Sequence, residues 1–145
     1  MNRFQFRLER VLRWRGMQLS LAEAKLTRTL QEEAQAESRL RRAQEERERV
    51  GAELAFAADL RGADLGIAAG YARFASKQCE SLCDAWQQSK RVSREQAAMH
   101  SAAKRRFKLL ERLRERRRAE WQTKMGRELD DFALESYLGR YRSED

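Results

Sequence analysis

Few residues in this 145-residue chain have the type and spacing for chemistry. His100 is the single histidine, and nothing at helical spacing from it offers a catalytic partner. It reads as a histidine at the edge of a helix seam or on the surface. Cys79 and Cys83 stand four residues apart, which puts both on one face of a helix. A structural metal site takes about four ligands, so two thiols fall short. A disulfide between them would strain the helix, and both read as buried or seam-edge thiols. No Gly-rich phosphate loop occurs, so the chain is not expected to bind a nucleotide itself. No catalytic residue, cofactor-binding residue or metal ligand is assigned, and no enzyme activity is expected. Trp14, Trp86 and Trp121 are of the type favoured at interface hot spots. Trp86 reads as core packing, and Trp14 and Trp121 as either core or partner anchors.

What remains is charge. Lys and Arg number 31 against 23 Asp and Glu, a net +8, and the sequence pI is about 10.1. The excess is uneven. By segment the net charge is +5 over 1–28, −3 over 29–60, +2 over 61–103, +8 over 104–127 and −4 over 128–145. Arg dominates, and its planar fork can engage carboxylates in pairs of hydrogen bonds.

The elements that must position these groups are helices. Large aliphatics are scarce, at 17 Leu, 3 Val and 1 Ile, which argues against a large core and against a compact enzyme. Ala, Glu, Lys, Leu and Arg together make 86 of the 145 residues, the composition of long helices or a coiled coil. There is no Pro to break them, and too few β-branched residues for a sheet. No run of 18 apolar residues occurs, so no membrane-spanning helix is expected. The cationic stretch Met1 to Trp14 lacks the apolar core of a secretory signal, and two Cys make no disulfide framework.

Two periodic segments stand out. Leu12, Leu19, Leu26, Leu40 and Leu54 share one heptad position, with Glu33 and Arg47 interrupting. Leu8, Ala22, Ala36, Ala43, Val50 and Ala57 share a second, with Arg15 and Thr29 as exceptions. This stripe predicts a helix over about 4–58. Phe74, Leu82, Trp86, Val92, Met99, Ala103, Phe107, Leu110, Leu113, Trp121, Met125, Leu129 and Phe132 recur at steps of three and four, with a register that slips, over about 71–138. Between them, residues 59–70 hold Gly62, Gly66 and Gly70 and read as a turn.

Neither stripe can bury itself alone. The expected fold is therefore all-α, a long antiparallel two-helix coiled-coil hairpin forming one domain over 1–145. At 1.5 Å per residue the arms would run about 80 and 100 Å. A reversal near residue 65 would put residue i beside about 130 − i. The +5 and +8 segments would then meet at the open end, with Glu128 to Asp131 next to the N-terminal arginines. Like charges brought together are costly, so that end calls for an acidic partner. The plainer alternative is a solvated helix face with scattered ion pairs, such as Glu111 and Glu115 against the arginines at 114–118.

Three stretches resemble one family. Arg3-Phe4-Gln5-Phe6-Arg7-Leu8-Glu9-Arg10-Val11-Leu12 resembles the opening of the flagellar export protein FliJ family. Tyr71-Ala72-Arg73-Phe74 is similar to the aromatic start of that family's second helix. Leu110 to Arg117, followed by Glu128-Leu129-Asp130-Asp131-Phe132-Ala133, is similar to its Leu-basic run and terminal acidic motif. The connection is richer in Gly than the family pattern, and Arg47 stands where an apolar seam residue is usual.

The resemblance implies a two-helix coiled coil that is likened to the central stalk of rotary ATP synthases. It implies a bacterial, cytoplasmic component of the flagellar type III protein export apparatus, associated peripherally with that apparatus at the inner membrane and serving motility. The implied partners are the hexameric export ATPase FliI, the cytoplasmic domain of the export gate protein FlhA, and export chaperones. Neither nucleic acid nor membrane insertion is implied, and a monomer is expected. Carried over by residue, the ATPase ring would meet Arg3, Arg7, Arg10, Arg13, Arg112, Arg114, Arg116, Arg117 and Arg118. The gate would meet Tyr71 and Phe74, with Leu40 and Gln44 as neighbours. The seam would hold Leu12, Leu19, Leu26, Leu82, Phe107 and Leu110. Two other readings stand beside it. One is the stalk of a virulence type III secretion system with the same fold. The other is a basic nucleic-acid-binding coiled coil, against which the interleaved Glu and the lack of a DNA-binding motif count.

Overall fold

The computed structural model describes residues 3–57, 59 and 61–142, with the side chain of Arg142 excepted. Among them are two helices and no strand: α1, Glu9–Phe56, and α2, Gly62–Arg142. The two pack against each other as a helical hairpin, the expected all-α architecture. No helix among the described residues is long and apolar enough to cross a membrane.

The boundaries differ from the sequence reading chiefly in two places, and α2 also runs to Arg142 rather than about 138. Residues 3–8 are not helical; α1 opens where the Leu8 carbonyl accepts from the Leu12 N–H at 2.9 Å, with the acid Glu9 in its first turn favouring the positive end of the helix dipole. The connection is also far shorter than residues 59–70. Helix α2 already begins at Gly62, and no described glycine has a positive φ. The physical reason lies in the cap. The Asp64 carboxylate accepts from the Arg61 N–H at 3.2 Å, and the Arg61 carbonyl accepts from the Leu65 N–H at 3.0 Å. This is the acidic half of a capping box. The Ala, Leu and Ile between Gly62, Gly66 and Gly70 favour helix enough to outweigh a cost of about 1 kcal/mol per interior glycine. Ala58 and Leu60 lie outside the described residues.

The chain divides into two compact units, each holding part of both helices: residues 1–20 with 102–145, and residues 21–101. In the second unit the α1 seam is Ala22, Leu26, Thr29, Glu33, Ala36, Leu40, Ala43, Val50 and Leu54, all buried or half-buried. These are the two expected heptad positions, and Glu33 stays in the seam although it is charged. The α2 seam of this unit is Ala75, Cys79, Leu82, Trp86, Ser89, Ser93, Gln96 and His100. It keeps strict heptads rather than a slipping register. Phe74 and Met99, expected on the stripe, are 63% and 60% exposed. Small and polar residues do the packing there, which an apolar pattern cannot register.

In the first unit Leu12 is buried, and Leu19, Ala103, Phe107, Leu110 and Leu113 are half-buried. Leu8, Leu129 and Phe132 of the expected stripe are exposed.

The pairing register also shifts. In the first unit Glu9 meets Arg114, and the site of a Gly16 Cβ lies 3.3 Å from the Phe107 ring. In the second, Glu23 meets His100 and Glu33 meets Ser93. The position numbers of these pairs add to 123–126 rather than 130. The short connection moves the reversal earlier, to about residue 62, so each α1 residue meets α2 four to seven positions earlier than expected.

Candidate functional site

The first unit carries the arginines assigned to a ring partner. All those at 3, 7, 10, 13, 112, 114, 116, 117 and 118 belong to it; all are exposed except that they differ in their neighbours. Arg3, Arg7, Arg10, Arg13 and Arg114 surround one shallow groove, with Glu9 as its acid. Glu9 lies 3.8 Å from the Arg13 Nε and 3.7 Å from the Arg114 Nη1, so one carboxylate is shared between two cations. Arg117 pairs with Glu120 at 3.0 Å. Arg3, Arg7, Arg10, Arg112, Arg116 and Arg118 have no ion pair among the described residues. These pairs are exposed and worth little each, which leaves a strongly positive surface.

Sequence reasoning did not find what holds this surface together. The ring of Phe4 packs on Trp121, centroids 6.0 Å apart and tilted by 52°. Phe4, Phe6, Leu8, Leu113 and Trp121 form the apolar part of a groove of about 830 Å³, with Arg7, Arg117 and Lys124 as its cations and Glu120 as its acid. The signal in the sequence was the Phe-x-Phe pair lying outside the heptads, flanked by arginines. Of the two tryptophans left open between core and anchor, Trp121 is half-buried in this groove, and Trp14 is 47% exposed under the Arg15 guanidinium, 4.7 Å from its ring centre.

Glu128 to Asp131 do not stand next to the N-terminal arginines, where the expected register would put them. Trp121 lies beside Phe4, so Glu128 is already two helical turns farther along α2. Glu128, Asp130 and Asp131 are exposed. The register shift is the cause: the pairs of this unit add to 123, which carries the segment past Arg3. Residues 143–145 of the same acidic stretch lie outside the described residues.

The second unit carries the residues assigned to a gate partner. Tyr71 is half-buried and lines a groove of about 470 Å³ with Arg39, Arg42, Ala43, Glu46, Ala75, Gln78 and Leu82. Phe74 and Gln44 are exposed. Leu40 is 7% exposed in the seam, so it cannot present itself to a partner; its heptad position turns it inward. Glu46 accepts from the Arg49 Nη2 with both oxygens at 2.7 Å, and this bond and charge raise the Arg49 guanidinium above its usual value.

Of the other flagged residues, Cys79 is buried and Cys83 half-buried, both free. His100 is half-buried, with its Nε2 3.5 Å from the Glu23 carboxylate. Trp86 lies in the seam with Lys90 over its ring, and its indole N–H has no hydrogen-bond partner among the described residues. No group of three or more His, Cys, Asp or Glu among the described residues is placed to hold a metal. No protein-family model, characterised protein or solved structure matches the chain.

Proposed function

We propose that this chain is a non-enzymatic stalk and chaperone-handling component of the flagellar type III export apparatus, coupling the export ATPase ring to the export gate. The observation that carries the reading is the basic end. Nine arginines are gathered in one unit, six of them without an ion pair among the described residues. A cationic surface of this kind suits an acidic-lined ring, where electrostatics supplies orientation and rapid association more than raw affinity. The resemblance at Arg3–Leu12, Tyr71–Phe74 and Leu110–Ala133 supplies the identity of the machine. The work would be done in the cytoplasm, at the inner-membrane export apparatus. A virulence secretion stalk of the same fold is the nearest alternative.

The test is charge reversal at Arg112, Arg116 and Arg118, which spares the arginines paired with Glu9 and Glu120. Stimulation of the purified export ATPase should fall, most at low ionic strength where screening is weak, with helical content unchanged. Undiminished stimulation at low salt refutes the electrostatic stalk. Tight duplex DNA binding that collapses steeply with added salt would favour the nucleic-acid reading instead.

A further inference from the structure

Two features of the first unit are left over by a reading based on arginines alone. One is the groove built on Phe4, Phe6 and Trp121, with Arg7, Arg117 and Lys124 as its cations. The other is α2 past Met125, where every described side chain through Tyr141 is exposed. Leu129, Phe132, Leu134, Tyr137 and Leu138 are 53–69% exposed. A run of large apolar side chains this exposed marks an interaction surface.

The chemistry of that run is specific. Residues 128–138 contain Glu128, Asp130, Asp131 and Glu135 and no basic residue. At 100° per residue Glu128, Asp131 and Glu135 form one stripe with Phe132 and Leu138 at its edges, while Leu129 and Tyr137 fall on the other side. The segment is an acidic, apolar helix, and the groove is basic and aromatic. Each offers what the other lacks. The helix cannot fold into its own groove, because it continues unbroken from the groove wall at Trp121.

We propose that the occupant is the same segment of a second copy. Two chains associate antiparallel through their first units, each seating residues 128–138 in the groove of the other. The contact is isologous, so it closes at two copies. Setting Asp131 of one chain level with Trp121 of the other brings Gly126 to the two-fold axis. The same register sets Glu128 level with Lys124 of the other chain and Glu135 level with Arg117. A dimer of this kind replaces the expected monomer, and it stands independently of the export assignment.

Charge exchange tests it on the full chain. Wild-type protein at low ionic strength should sediment as a dimer that dissociates on dilution and with added salt. One variant carries Glu128→Lys, Asp131→Lys and Glu135→Lys; another carries Arg7→Glu, Arg117→Glu and Lys124→Glu. Each alone should weaken self-association by at least about tenfold, since like charges then face each other in both contacts. Mixed together they should recover a heterodimer, because both contacts again pair opposite charges. All six side chains are exposed, so circular dichroism should report unchanged helix. A wild-type chain that stays monomeric at low salt, one that grows beyond two copies, or a mixture of the variants that stays monomeric overturns the proposal.

Discussion

The Ser93 hydroxyl on α2 donates a hydrogen bond to the Glu33 carboxylate on α1, across the middle of the apolar seam. Ser93 is 4% exposed, and Glu33 holds the heptad position that leucine fills at 12, 19, 26, 40 and 54. Such a pair stabilises only modestly but is costly to break on one side, because the partner is left without its hydrogen bond. Ser93→Ala should therefore lower stability by about 1 kcal/mol. Changing both residues, Glu33→Leu with Ser93→Ala, should restore or exceed the wild-type melting temperature. Thermal unfolding followed by circular dichroism reads both, and an additive loss in the double variant would count against the pairing.

Helix α2 begins at Gly62, and this is testable at Gly66. A turn that needs left-handed backbone punishes alanine, whereas a helix rewards it. Among the described residues nothing lies within 4 Å of where a Gly66 Cβ would stand, and Gly66 has no positive φ. Gly66→Ala should raise stability by about 0.5–1 kcal/mol. A loss would return residues 62–70 to the connection.

How much the sequence reveals differs between the two helices for a physical reason. Helix α1 places leucine at 12, 19, 26, 40 and 54, and that pattern identifies its buried face without a structure. Helix α2 packs through Ala75, Cys79, Ser89, Ser93, Gln96 and His100. Their burial follows from close approach to the partner helix, not from their own hydrophobicity, so the eye goes instead to Phe74 and Met99 outside. The connection misleads because three glycines look like a turn while Asp64 caps a helix. The basic end is legible as a charge count. The Phe4–Trp121 contact beneath it is not, because residues 3–8 are not helical and obey no helical period.

Leu40 and Phe74, both assigned to a gate surface, should now behave in opposite ways. Leu40 is buried and Phe74 is 63% exposed. Leu40→Ala should cost about 2–3 kcal/mol through lost packing. Phe74→Ala should stay within about 0.5 kcal/mol of wild type, while weakening capture of the purified gate domain. Denaturant titration gives the first pair of numbers and a pull-down gives the last. If Phe74→Ala unfolds the chain, Phe74 is a structural residue and the surface assignment fails.

Glu9 offers a test in which stability and binding should move apart. Its carboxylate lies within 4 Å of both Arg13 and Arg114, and it occupies the first turn of α1. At 3.7 and 3.8 Å these contacts are longer than hydrogen bonds, so they act through charge alone and contribute little to stability in water. The larger stabilising part of Glu9 is its interaction with the positive end of the helix, about 0.3–1 kcal/mol. Glu9→Gln removes that interaction and at the same time frees two cations. The variant should melt slightly earlier, yet bind a polyanion such as heparin more tightly and elute from it at higher salt. Glu80→Gln, exposed in the second unit and in no ion pair among the described residues, removes the same formal charge and serves as the control. If both variants gain equally, only net charge matters and Glu9 has no special hold on the groove. If Glu9→Gln elutes unchanged, Arg13 and Arg114 were never neutralised by it.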